Sequence, residues 1–185
     1  MQIKNFILAA SAAATASAAA CPAPSDKYFG LVAVHSGSAV HLQPFNAALS
    51  SIFAGLKSQN ASCDRPDEKY ATFYLQDGSL HLYAASATPQ EIFVDASGMG
   101  QGKIGYTTGA QPGPRNGERT GWAINDQNHL QFKGKDLIAC PNSIDGAWSI
   151  WADAGVANPA GNKDCVSIAA RVEETSNPNS CVYTQ

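Results

Sequence analysis

The chain is 185 residues long, carries a formal net charge of −3 and has only 15% charged residues. That length is one domain's worth. Its basic residues stand singly, with no run of Lys or Arg, which speaks against a nucleic-acid partner and against polybasic attachment to a membrane.

Residues 1–20, MQIKNFILAASAAATASAAA, combine Lys4, the apolar start Phe6-Ile7-Leu8 and two small-x-small sites, Ala16-Ser17-Ala18 and Ala18-Ala19-Ala20. This is the pattern of a secretory signal peptide. Its apolar run is too short and too diluted by Ser and Thr to span a bilayer. Residues 21–185 are therefore expected to form a single secreted domain with no membrane partner.

From Lys27 onward, short runs of β-branched and aromatic residues are cut by Gly, Asn, Asp and Pro about every 8–12 residues, the signature of an all-β chain. The predicted strands are 28–35, 39–45, 51–56, 71–76, 79–84, 91–95, 103–107, 120–125, 129–133, 136–140, 147–152 and 166–172. The stretch from Asn46 to Leu56 comes nearest to a helical period. Asp77-Gly78 and Ser36-Gly37 read as hairpin turns. Residues 108–117 and 153–164 read as loops. GLVAVHSGSAVHLQPF, TFYLQDGSLHLYA and GWAINDQNHLQFKG each give strand, turn and a strand containing His-Leu, with Leu42, Leu82 and Leu130 spaced 40 and 48 residues apart. Three such units favour a β-trefoil-like single domain, with a β-sandwich as the alternative. The leucines then face inward, and His41, His81 and His129 outward.

Behind a signal peptide, the widely spaced Cys21, Cys63, Cys140, Cys165 and Cys181 read as a disulfide framework, four forming two bridges and one left over, with the pairing open. Asn60-Ala61-Ser62 is an N-glycosylation sequon in a polar loop, so Asn60 is the expected glycan acceptor. Asn179-Ser180-Cys181 is the weaker N-x-C form.

The residues show no GxSxG, no Gly-rich phosphate loop and no zinc spacing, so no catalytic residue, metal or cofactor is expected. Asp77, Asp95, Asp126 and Asp145 read as turn formers rather than a glycosidase pair. Trp148 and Trp151 are candidate glycan contacts: three apart on a strand they take opposite faces, one in the core and one exposed. Trp122 reads as core.

The signal sequence, IFAGLKSQNASCDRPDEK, SATPQEIFVDASGMGQGKIGYTTGAQP and GKDLIACPNSIDGAWSIWADAGVANPAGN together resemble the PhiA family of fungal cell wall proteins over essentially the whole chain. That resemblance implies a secreted, glycosylated wall protein concerned with phialide and conidium formation and with stress protection. More distantly, residues 63–181 are similar to the four-cysteine C-terminal domain of Pir wall mannoproteins, through LQDGSL, GKIGY, the Gly-Trp and HLQF strands and the cysteine order. The Gln-rich repeat that links Pir proteins to glucan is absent, since Gln76-Asp77-Gly78 is followed by Ser79. The expected function is thus that of a non-enzymatic wall glycoprotein. Its expected partner is wall polysaccharide (β-glucan or chitin), bound non-covalently or through a thiol. The alternative is a soluble lectin-like carbohydrate-binding module.

Overall fold

The computed structural model describes residues 27–86 and 88–185; the predicted signal segment and Cys21 lie outside them. The described chain is all-β. Its first eight strands are β1 (Tyr28–Val34), β2 (Phe45–Ala48), β3 (Ser51–Ala54), β4 (Ser62–Cys63), β5 (Phe73–Gln76), β6 (Ser79–Leu82), β7 (Gln90–Asp95) and β8 (Lys103–Thr108). Then follow β9 (Gly117–Glu118), β10 (Trp122–Ile124), β11 (His129–Phe132), β12 (Leu137–Cys140), β13 (Trp148–Ala152), β14 (Val166–Thr175) and β15 (Cys181–Val182). Two single-turn 3-10 segments, Ile144–Gly146 and Pro159–Gly161, flank β13 in sequence.

Nine strands close into a barrel in the order β1-β5-β6-β7-β8-β3-β13-β12-β14, and β14 returns onto β1 over seven residue pairs, Tyr28↔Thr175 to Val34↔Ala169. Closure removes the open edges that a sheet of this size would otherwise expose. Strict alternation fills the interior. Phe29, Leu31 and Ala33 of β1, Leu80 and Leu82 of β6, and Leu137 and Ala139 of β12 point inward. The apolar centre, lined by Leu31, Phe73, Leu80, Ile104, Leu130 and Ile150 among others, leaves a cavity of only about 10 Å³. It is a packed core and holds no ligand chamber.

One part of the core is built by the C-terminal tail. Gln90 is 1% exposed, and its amide donates to the Tyr183 carbonyl (2.9 Å) and accepts from the Tyr183 amide (2.8 Å), pairing the tail as a strand neighbour would. The buried Tyr183 hydroxyl accepts from the Thr72 amide at 3.2 Å. Tyr106 donates to the Thr184 carbonyl. The β2–β3 hairpin leans on the same tail: its turn residues Leu49 and Ser50, both at positive φ (49° and 52°), donate their amides to Thr184 Oγ1 (3.1 Å) and the Thr184 carbonyl (3.2 Å).

The predicted strands recur with small shifts, except one. Residues 39–42 form turns where a strand over 39–45 was expected, Pro44 touches β1 through the Val32↔Pro44 bridge, and Leu42, expected inside, is 56% exposed at φ 63°. The expected three equivalent units therefore do not form. The first lacks its return strand. In the second, β5 and β6 are barrel staves. In the third, the β10–β11 hairpin attaches outside the ring, through β11 on β14. The closed barrel is neither the trefoil nor the sandwich expected from the repeat. Asp77 (φ 50°) and Gly78 (φ 78°) make the predicted left-handed hairpin turn between β5 and β6.

Candidate functional site

The four described cysteines form two bridges. Cys63 on β4 and Cys181 on β15 are directly paired across their short two-stranded sheet, and Cys140 at the end of β12 joins Cys165. The expectation of two bridges holds, and the fifth cysteine, Cys21, lies outside the described residues. Around the first bridge, the Arg65 guanidinium clasps Glu68 and donates to the Asn177 carbonyl at 2.8 Å, tying residues 64–70 to the chain end. The hydrogen bond from Arg65 holds the Glu68 carboxyl below the usual carboxylate range.

The two sequons stand in opposite environments. Asn60 is exposed at φ 49°, in the turn after Ser58. Asn179 is 1% exposed, with Oδ1 accepting the Arg65 amide (3.0 Å) and Nδ2 donating to the Arg65 carbonyl (2.9 Å). A glycan on Asn179 is incompatible with this fold; Asn60 is sterically open to one.

On β13, Trp148, Ile150 and Ala152 face the core while Ser149 and Trp151 face out, which separates the two candidate tryptophans as parity demands. Trp148 packs against the main core. Trp151 is half-buried on the outer wall, its indole N–H donating to Ser149 Oγ at 2.9 Å. It forms part of an open groove of about 340 Å³ that also takes in Phe53, Lys103, Ser143, Ser149 and Asn162. Barrel register brings these distant residues together: Ser149 opposes Phe53 on β3, and Trp151 opposes Lys103 on β8. Gly102 makes the second approach possible. At φ 92°, a Cβ there would stand 2.0 Å from the Ala152 carbonyl oxygen, so only glycine lets β8 come this close to β13. The far wall is the Pro159–Gly161 turn, held by the Ala160 amide donating to Gln101 Oε1 and by Asn162 Nδ2 donating to the Pro159 carbonyl. An aromatic face with hydroxyl, amide and ammonium groups around it suits a pyranose ring, whose C–H faces stack and whose hydroxyls need hydrogen-bond partners. The sequence offered Trp148 and Trp151 without choosing between them, and it did not point to the groove neighbours of Trp151, which come from β3, β8 and the loops on either side of β13.

The remaining candidates do not converge. His41 Nδ1 accepts the His35 amide at 3.2 Å, and His129 lies opposite Arg171 on the outer wall. His81 is half-buried against Tyr74, and its burial lowers its pKa. Asp77, Asp126 and Asp145 sit in turns, and Asp95 Oδ1 accepts the Ser97 amide at 3.0 Å. Trp122 is buried against Phe132, as expected. Among the described residues, no three His, Cys, Asp or Glu side chains form a metal-ion set.

Comparison with known proteins gives these features a family. No solved structure matches the chain. "Cell wall protein phiA" of Aspergillus fumigatus is 85% identical over 185 residues, the whole of both chains. The protein of that name from Aspergillus niger is 66% identical over 184 residues, covering 100% of this chain and 99% of its own. That of Emericella nidulans is 63% identical over 175 residues, 94% of this chain and 96% of the relative. The family model described as "PhiA-like secreted protein" matches residues 29–184, from the first barrel strand to the C-terminal tail, and the chain belongs to that family of secreted cell wall proteins.

Proposed function

We propose that this secreted cell wall protein is a non-enzymatic structural glycoprotein, retained by non-covalent contact between its Trp151 groove and wall polysaccharide, β-glucan or chitin. The observation that carries this reading is the outward Trp151 indole in a groove with hydroxyl, amide and ammonium partners, on a barrel whose interior is filled. Asn60 carries the glycan, and the two bridges keep the fold intact outside the cell. The family resemblance supports a role in phialide and conidium formation and in stress protection. The same groove supports a second reading, a soluble lectin-like module acting in the medium.

Extraction of washed walls tests the proposal. Hot detergent is expected to release the protein without glucanase, and Trp151→Ala is expected to lower the fraction that washed walls retain. Release that also needs reductant would add Cys21 as a thiol tether. Release by glucanase alone would mean a covalent glycan bond and would overturn the non-covalent reading. A protein found mainly in the medium, with saturable sugar-competed binding, would favour the lectin-like module.

A further inference from the structure

The Trp151 groove is not the barrel's one aromatic outer surface. The opposite wall of the ring, on β1, β5 and β6, carries Tyr28, Tyr74 and His81, with Tyr83 directly after the last residue of β6. Each is half-buried and alternates with an inward residue: Tyr28 with Phe29, Tyr74 with Phe73, His81 and Tyr83 with Leu80 and Leu82. Tyr74 stands directly opposite His81, with ring centroids 4.9 Å apart and planes 15° from parallel. Tyr28 bridges Tyr83 (4.5 Å) and Tyr74 (6.0 Å). The rings thus form one continuous patch across three strands. At its far side, Arg119 Nη1 reaches Glu91 Oε2 at 2.7 Å and Nη2 reaches Thr107 Oγ1 at 2.9 Å, where Glu91 is the cross-strand neighbour of His81. The two charges at this end cancel as a pair, so with His81 neutral the patch carries no net charge.

We infer that this tyrosine–histidine wall is a second polysaccharide-contacting face, so that one molecule holds two neutral β-linked glycan chains on opposite sides of the barrel. Three things select a glycan as the occupant. The patch is aromatic and phenolic rather than aliphatic, which matches a pyranose with apolar C–H faces and hydroxyl edges. Its charges are paired, which matches a neutral polymer and offers a carboxylate and a guanidinium to hydroxyls. The protein resides in a cell wall. Two sites on one rigid body raise retention by avidity where two chains lie close, and they join those chains. The inference rests on the Trp151 reading for the word "second", but the face itself stands or falls separately.

The test uses soluble β-1,3-glucan and chitin oligosaccharide as separate probes, with Trp151→Ala, the double variant Tyr28→Ser/Tyr83→Ser, and their combination. Each face variant alone is expected to keep binding but to lose the wild type's ability to bridge glucan chains, read as light scattering from long-chain glucan. The combination is expected to lose binding at least tenfold. Which probe binds tells glucan from chitin. Wild-type protein provides a control free of folding effects. Bound glycan should slow nitration of Tyr28, Tyr74 and Tyr83 relative to a sugar-free sample, read by peptide mass. If the tyrosine variant binds and bridges like wild type, and nitration is unprotected, the row is only a cross-strand packing device and the second face is refuted. If Trp151→Ala alone is silent while the tyrosine variant abolishes binding, the tyrosine wall is the main site and the groove reading fails instead.

Discussion

Removing the Cys63–Cys181 bridge, by Cys63→Ser with Cys181→Ser, should damage the protein more than removing Cys140–Cys165, and in a specific place. The bridges close loops of very different length, with sequence separations of 118 and 25. Loop-closure entropy puts their contributions at about 4.9 and about 3.5 kcal/mol at 25 °C. Either is a large part of the roughly 5–15 kcal/mol by which a domain is stable. The first bridge also pins the tail that fills the core through Tyr183 and pairs with Gln90, so its loss exposes those buried hydrogen bonds. Denaturant melts of both double variants should show the larger loss for Cys63/Cys181, by about 1.4 kcal/mol or more. Hydrogen exchange should show loss of protection at the amides of residues 181–184 in that variant alone. Equal destabilisation by both, with residues 181–184 still protected, would refute the claim that this bridge holds the tail in place.

Burial pushes the Tyr183 hydroxyl up to about 12 from an ordinary 10, so the unfolded chain ionises first. The stability this hydroxyl contributes is intact below pH 10 and lost as pH rises from 10 to 12, by roughly 3 kcal/mol at 1.36 kcal/mol per unit. Burial shifts Tyr106 in the same direction, and tyrosinate absorbance followed alongside unfolding should show the two rising together in that window. Replacing the turn Leu49-Ser50 by Asn-Gly should raise stability by about 1–2 kcal/mol, since both residues sit at positive φ without glycine or asparagine; a lower melting temperature would refute it. Asn60→Gln should remove the N-glycan mass from secreted protein, whereas Asn179→Gln should leave it unchanged but cost about 1–3 kcal/mol by stranding the Arg65 backbone groups.

Where one face of a strand is buried and the other is not, the sequence was readable. β1 and β6 alternate without a break, the Asp-Gly turn marks its hairpin, and parity alone put Trp148 and Trp151 on opposite faces, leaving the packing to show that Trp148 is the inner one. The β2–β3 hairpin was not readable, for two physical reasons. Phe45–Ala48 is buried on both faces, including the fully buried Asn46, whose Oδ1 accepts the Leu56 amide at 2.9 Å; alternation is therefore absent. Its turn has no residue suited to positive φ, because the tail's contacts from Thr184 hold it in place. β4 and β15 are two residues each and are joined by a disulfide, a long-range bond with no local pattern. The repeat misled because His-Leu recurs in sequence while only two of its three units form hairpins. The groove and the tyrosine wall are products of strand order, which local periodicity does not carry.

The second bridge has a different task from the first. Cys140 and Cys165 enclose the excursion that carries Ser143, Trp151 and Asn162, so the bridge fixes the two loop walls of the groove at their base. Neither loop has a regular element longer than a single 3-10 turn, and each of those turns contains a residue at positive φ, Asp145 and Ala160. Such segments keep their shape only if their ends are held. The barrel strands β12 and β13 are paired from Leu137↔Ala152 to Cys140↔Ser149 through their backbones, a ladder in which the disulfide takes no part. Cys140→Ser with Cys165→Ser should therefore leave a cooperatively folded barrel with its tail protected, while weakening glucan binding at the Trp151 groove about tenfold and sparing the tyrosine wall. Unchanged groove affinity in that variant would mean that the loops are shaped by their own turns, and that this bridge serves stability alone.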